Sequence, residues 1–214
     1  MDRFPEAAAR ITLYTLLAHG FNYPDQEMIE LLTSGELTVK LGGCLNVLGK
    51  SVPEAELGRI GERYGRALHG THDKHEFLLE LEREYTHIFF ASRPRQAYLF
   101  ESVYNEGKLY QDSTFQIARL YHEAGLKVDE EFKLPPDHIA VEFEFMAYLA
   151  YSEIEAAKAG HKENEAYARE LQERVLKDHL TPFALHVAER LTQHAKTAFY
   201  LGVAAITKAV VSGQ

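Results

Sequence analysis

Apolar residues recur at helical spacing along most of the chain. Ile11, Tyr14, Leu17 and Ala18 form one stripe within residues 5–20, opened by Pro5 and closed by Gly20. Asp25 is placed to cap a short helix over 26–34. The segment 37–48 keeps the spacing, although Gly42 and Gly43 weaken it. Leu57, Ile60, Tyr64 and Leu68 mark the apolar face of a helix over 53–68. Asp73-x-x-Glu76 reads as a capping box ahead of Phe77, Leu81, Tyr85, Ile88 and Phe89, and Ser113-x-x-Gln116 as a second, in a helix ended by Gly125. Further helices fall over 164–176, over 182–191 with Thr181 as cap, and over 195–211. No alternating run bounded by turn residues reads as a strand. The pattern predicts an all-α fold, a helical bundle of roughly ten helices in a single domain over 1–214.

One helix breaks the pattern. LPPDHIAVEFEFMAYLAYSE (134–153) opens on two prolines, with Asp137 in the capping position and His138 after it. Ile139, Val141, Phe143, Phe145, Met146 and Leu149 make the helix apolar on nearly every side, yet Glu142 sits inside that run. A buried carboxylate costs several kcal/mol unless it is paired or wet, so Glu142 calls for an arginine or a function. Two interruptions stand out between helices. HGTHD (69–73) reads as a short hinge, and 91–112 as a long loop carrying Tyr98, Phe100, Tyr104 and Tyr110. Long loops are functional or disordered, and disordered ones are poor in aromatics, so this one is expected to be ordered for binding or to cover the core.

Composition narrows the classes. The net charge of −9 argues against nucleic acid and favours a cationic partner. One cysteine, Cys44, leaves no internal disulfide and no thiolate zinc site, which suits a reducing compartment. No signal peptide or membrane-length apolar run is visible, so cytoplasmic localisation is expected. The 11 histidines invite a metal test. Glu84-x-x-His87 has the di-iron bundle spacing but occurs once, where such sites need it twice. His72-Asp73 resembles the HD phosphohydrolases, but residues 21–68 hold no histidine for the upstream ligand. There is no G-x-S-x-G elbow and no glycine-rich phosphate loop. No catalytic, metal or cofactor site is expected.

Several blocks, in order, are similar to the TorD/DmsD/NarJ family of cytoplasmic chaperones for redox-enzyme maturation: EYTHIFF (84–90), LFESVY (99–104), DST (112–114), YHEAGL (121–126), PPDHIAVEFEFMAYLA (135–150), HL (179–180) and TAFYLGVA (197–204). Many members carry a tryptophan shortly after HL; this chain has none, and Phe183 is the residue to fill that space.

The resemblance implies a chaperone without turnover. Its clients would be the twin-arginine leader and the immature catalytic subunit of a molybdopterin oxidoreductase, held until the cofactor is inserted. A leader combines two arginines with an apolar stretch, so its receptor needs carboxylates beside an aromatic groove. Asp137, His138 and Glu142 would form the polar end of that groove, with Phe89, Phe100 and Tyr104 as its apolar wall and Ser102 and Pro136 also contacting peptide. If His138 titrates at its ordinary value, affinity for a cationic leader falls below about pH 6. A monomer or a domain-swapped dimer is expected, with hinges at 69–73 and 91–112. An HD-type phosphohydrolase, or a helical scaffold that binds no leader, are the other readings.

Overall fold

Proline has no N–H to leave unsatisfied, and α1 (Pro5–Phe21) starts on Pro5. The computed structural model describes residues 4–65, 74–91, 93–127 and 134–212. Within them the chain is helical, and the only bridge between extended segments is an isolated pair, Phe100 with His138. Next come α2 (Gln26–Thr33), α3 (Glu36–Val47) and α4 (Glu54–Tyr64). Asp25 caps α2 as the sequence predicts, its carboxylate accepting the Met28 N–H at 2.9 Å. The hinge at 69–73, Leu68 and the capping residue Asp73 lie outside the described residues. The chain resumes in α5 (Lys74–Thr86), which passes into a π-helical turn, His87–Ala91.

Three local expectations give way to tertiary contacts. The interval 91–112 is not a plain loop, since it holds a short helix, α6 (Glu101–Glu106). Ser113 does not cap α7 (Asp112–Glu123); its N–H and its hydroxyl both donate to Glu106, at 3.2 and 2.7 Å. Thr181 does not cap the next helix either; its hydroxyl donates to the Val211 carbonyl at 3.4 Å. After α8 (Ile139–Ala159), α9 (Lys162–Val175) runs through a second π-helical turn, Leu176–Leu180, directly into α10 (Thr181–His194). Val175, Leu180 and Thr181 all keep right-handed helical angles there. A widened turn is how a helix absorbs a residue such as Pro182, which cannot supply its backbone donor.

The core is built around α8. Its most extensive neighbour is α1, where Phe143 stacks on Phe21 at 5.9 Å and meets Tyr14 at 6.2 Å. α9 packs along another side of α8, and α10 pairs with α11 (Ala198–Val211), which also meets α4. Gly202 makes the α4–α11 approach possible, because a Cβ there would run into the Ile60 side chain. Buried rings of Tyr85, Phe89 and Tyr200 tie the π-turn after α5 to α11.

Glu84, the residue with di-iron spacing to His87, has another task. Its carboxylate accepts the N–H of Thr197, at 3.0 Å to Oε2, and that of Lys196. It thus covers the exposed donors at the start of α11 from a different helix. Glu84→Ala should lower the unfolding free energy by about 1–2 kcal/mol, the range for losing an N-cap acceptor. Denaturant midpoints check this, and an unchanged midpoint would return Glu84 to the solvated surface.

Candidate functional site

Residues 99–102 and 137–139 pair head to tail beneath the N-terminus of α8. The Glu101 N–H donates to the Asp137 carbonyl at 2.9 Å, and the Ile139 N–H to the Leu99 carbonyl at 2.9 Å. Asp137 does not cap its own helix. Its Oδ2 accepts the Ser102 N–H at 2.9 Å, which satisfies a donor at the start of α6 instead. The N-cap of α8 is His138, whose Nδ1 accepts the Ala140 N–H at 3.2 Å. With Nδ1 accepting, the neutral ring carries its proton on Nε2.

The polar side chains at this corner are buried: Glu101, Ser102, Asp137 and Glu142 are at most 1% exposed, and His138 is 3% exposed. Glu101 is held by His179 of the second π-turn, with Nδ1 3.0 Å from Oε2, and by Asn105. Pro136 is fixed through its carbonyl, which accepts the Tyr121 hydroxyl at 2.7 Å. Neither oxygen of Glu142, nor Asp137 Oδ1, nor Ser102 Oγ has a hydrogen-bond partner among the described residues. Nor does any lysine or arginine among them pair with Glu101, Asp137 or Glu142. Burial, reinforced by Glu101 and Asp137, pushes the Glu142 carboxyl well above the usual range. Burial also takes the His138 imidazole down to about 4, against the opposing pull of Asp137. The condition on which leader affinity was expected to fall below about pH 6, an ordinary His138, is thus not met, because burial favours the neutral ring.

The aromatic residues divide between two places. Phe100 is half-buried with its ring 5.2 Å from His138. Tyr104, also half-buried, lies between Phe183 at 5.5 Å and a parallel His186 ring at 5.8 Å, and its hydroxyl accepts the Tyr98 N–H. Phe183, the residue expected to stand in for a tryptophan, is thus the buried support under Tyr104. Phe89 is 2% exposed and its ring contacts are Tyr85 and Tyr200, so it is placed in the core.

Chemically the corner is a buried acid-rich cluster that no lysine or arginine among the described residues matches, with His179 meeting the carboxyl of Glu101 alone. The carboxyls of Asp137 and Glu142 lie under the segment 99–102, which contributes the third, Glu101, itself held by His179. Glu101 and His179 complete it and were not among the expected site residues, although LFESVY and HL contain them. A cleft of about 510 Å³ lies elsewhere. There Arg10, Arg169 and Gln172 all bond Glu153, so its charges satisfy one another.

Comparisons with known proteins agree with one another. The family described as nitrate reductase delta subunit matches residues 54–189. A chaperone protein TorD of Vibrio cholerae is 28% identical over 159 residues, covering 74% of this chain and 71% of the relative. A perchlorate reductase assembly chaperone protein of Dechloromonas aromatica is 24% identical over 203 residues, covering 95% and 87%. The crystal structure of a redox enzyme maturation protein from Archaeoglobus fulgidus shares the fold, with a TM-score of 0.52 at 20% identity over 99% of this chain and 96% of that one. The chain belongs to the nitrate reductase delta subunit family.

Proposed function

We propose that this protein is a cytoplasmic, non-enzymatic chaperone that holds the immature catalytic subunit of a molybdopterin oxidoreductase and its twin-arginine leader until the cofactor is in place. The observation that carries the site is the buried acid cluster of Glu101, Asp137 and Glu142 without a lysine or arginine partner. Such an arrangement destabilises the empty protein and is relieved by a cation, which makes it a receptor for a guanidinium. Phe100, Tyr104 and Pro136 lie at the half-exposed edge, where an apolar part of the peptide would cover them. The cover over Asp137 and Glu142 is held by one bridge, the Asp137–Ser102 bond and the contact of Glu101 with His179. Lifting 99–102 exposes Asp137 and Glu142 together, while His138, neutral, adds no competing charge. Relatives named as chaperones, and an acid pocket lacking an activated nucleophile, support binding over hydrolysis. His72-Asp73, on which the phosphohydrolase reading rested, lies outside the described residues.

Calorimetry with a synthetic leader tests this. Replacing both leader arginines by glutamine should weaken binding by about 2–5 kcal/mol if they enter a desolvated acid pocket. Raising salt should weaken it less, because screening over about 8 Å acts on exposed charge more than on buried pairs. A peptide bound equally well with and without its arginines would remove the acid cluster from the site.

A further inference from the structure

Further along α8 the chain offers what the buried corner lacks, an open apolar face. A cleft of about 440 Å³ lies between the end of α7, the middle of α8 and α9. Leu149 and Leu171, each 1% exposed, form its floor. Tyr148, Tyr151 and Tyr167, between 36% and 53% exposed, form its rim. Tyrosines in such a place offer large, rigid contact area while their hydroxyls stay wet. Tyr148 is already positioned, its hydroxyl donating to the Ala124 carbonyl at the end of α7 at 3.3 Å.

The cleft is linked to the acid corner through the core. Tyr148 stacks on Phe145 at 6.4 Å, Phe145 meets Tyr121 at 4.5 Å, and Tyr121 holds the Pro136 carbonyl at 2.7 Å. This row of rings, with Phe145 and Tyr121 buried, ties the cleft rigidly to the corner from beneath. From His138 to Tyr151 the helix axis advances roughly 20 Å, a distance that about six residues of extended peptide cover. The charge on the rim suits a cationic chain: Glu123 and Glu155 flank the opening, and the α7 C-terminus adds the negative end of its dipole. Both glutamates carry exposed partners, Arg174 and Lys158, in pairs that are cheap to exchange.

We propose that this cleft seats the apolar stretch of the client's leader while its arginines occupy the acid corner. The inference rests on the leader-binding reading above and gives it a second anchor. The two contacts recognise different parts of one peptide, so each can be removed without the other.

The chain contains no tryptophan, so a synthetic leader with a single tryptophan in its apolar stretch reports on that stretch alone. Wild-type protein should shift its emission to the blue. The double variant Tyr151→Ser, Tyr167→Ser changes only exposed rings, and its thermal melt should match the wild type. It should bind the leader about tenfold more weakly, as loss of anchoring aromatics does, and leave the emission unshifted. A leader whose apolar stretch is replaced by serine and glycine should bind wild type and variant alike. Equal affinity and equal blue shift in wild type and variant would overturn the cleft while leaving leader binding intact. A wild type that binds no leader at all would overturn both.

Discussion

Glu142→Gln should be more stable than the parent chain, and the difference should widen as pH rises. Glu142 lies fully buried on α8, where desolvation, then Glu101 and Asp137, raises its carboxyl well above the usual range. For a group raised in the fold, stability is fully present below the unfolded pKa and is lost as pH climbs towards the folded one. Above about pH 5 the unfolded glutamate is ionised and the folded one is not. The gap between variant and parent should then grow by about 1.4 kcal/mol per pH unit until the folded carboxyl ionises. Glutamine keeps the shape and has no proton to lose. Urea midpoints at intervals between about pH 5 and pH 8 measure the slope, and parallel curves would show Glu142 charged in the fold. The same variant should bind a twin-arginine leader at least about tenfold more weakly, since the carboxyl that would give up its proton to meet the guanidinium is gone. Stability gained together with binding lost is how a site kept for function, not for folding, responds to repair.

The helices were legible because their signal is periodic and local. α1, α2, α3 and α11 follow their apolar stripes, and Asp25 caps α2 through its own side chain. What the sequence did not disclose are donors satisfied from a distance. Asp137 reads as the cap of α8 because aspartate precedes the helix, yet it serves Ser102, 35 positions earlier, and leaves α8 to His138. Ser113 reads as a cap until Glu106 takes its N–H, and nothing near Glu84 in sequence announces that it serves the start of α11. Pro182 reads as a helix start, whereas a π-turn carries the helix past it.

At the site, the residue types were legible and their exposure was not. Asp137, His138 and Glu142 do gather, but under a cover, because the pairing of 99–102 with 137–139 has no periodic signature. Glu101 and His179 are far apart in sequence and meet only through that pairing and the second π-turn. Phe89 shows the converse: an aromatic beside a loop looked like groove wall, and its position on the inner face of the π-turn puts it among Tyr85 and Tyr200.

His138→Asn should unmask an opposition between two buried groups one turn apart on α8. The imidazole is held down to about 4 by burial, so the unfolded chain, with a pKa near 6.5, takes up a proton that the fold refuses. For a histidine shifted in this direction, stability is lost as pH falls from about 6.5 to about 4, by about 3 kcal/mol over the window. Glu142 acts in the opposite sense, restoring about 1.4 kcal/mol per pH unit as pH falls towards the unfolded glutamate pKa. Between roughly pH 4.5 and 6.5 these two slopes cancel, and the parent chain should show little pH dependence from either. Asparagine can still accept the Ala140 N–H as an N-cap, so His138→Asn should remain folded while losing only the histidine slope. Its stability should therefore rise as pH falls through that window. Glu142→Gln should do the reverse, losing stability towards acid, and the double variant should again be nearly flat. If His138→Asn instead follows the parent curve across the window, the imidazole is protonated in the fold. The neutral corner that leaves Asp137 and Glu142 free for a guanidinium would then have to be abandoned.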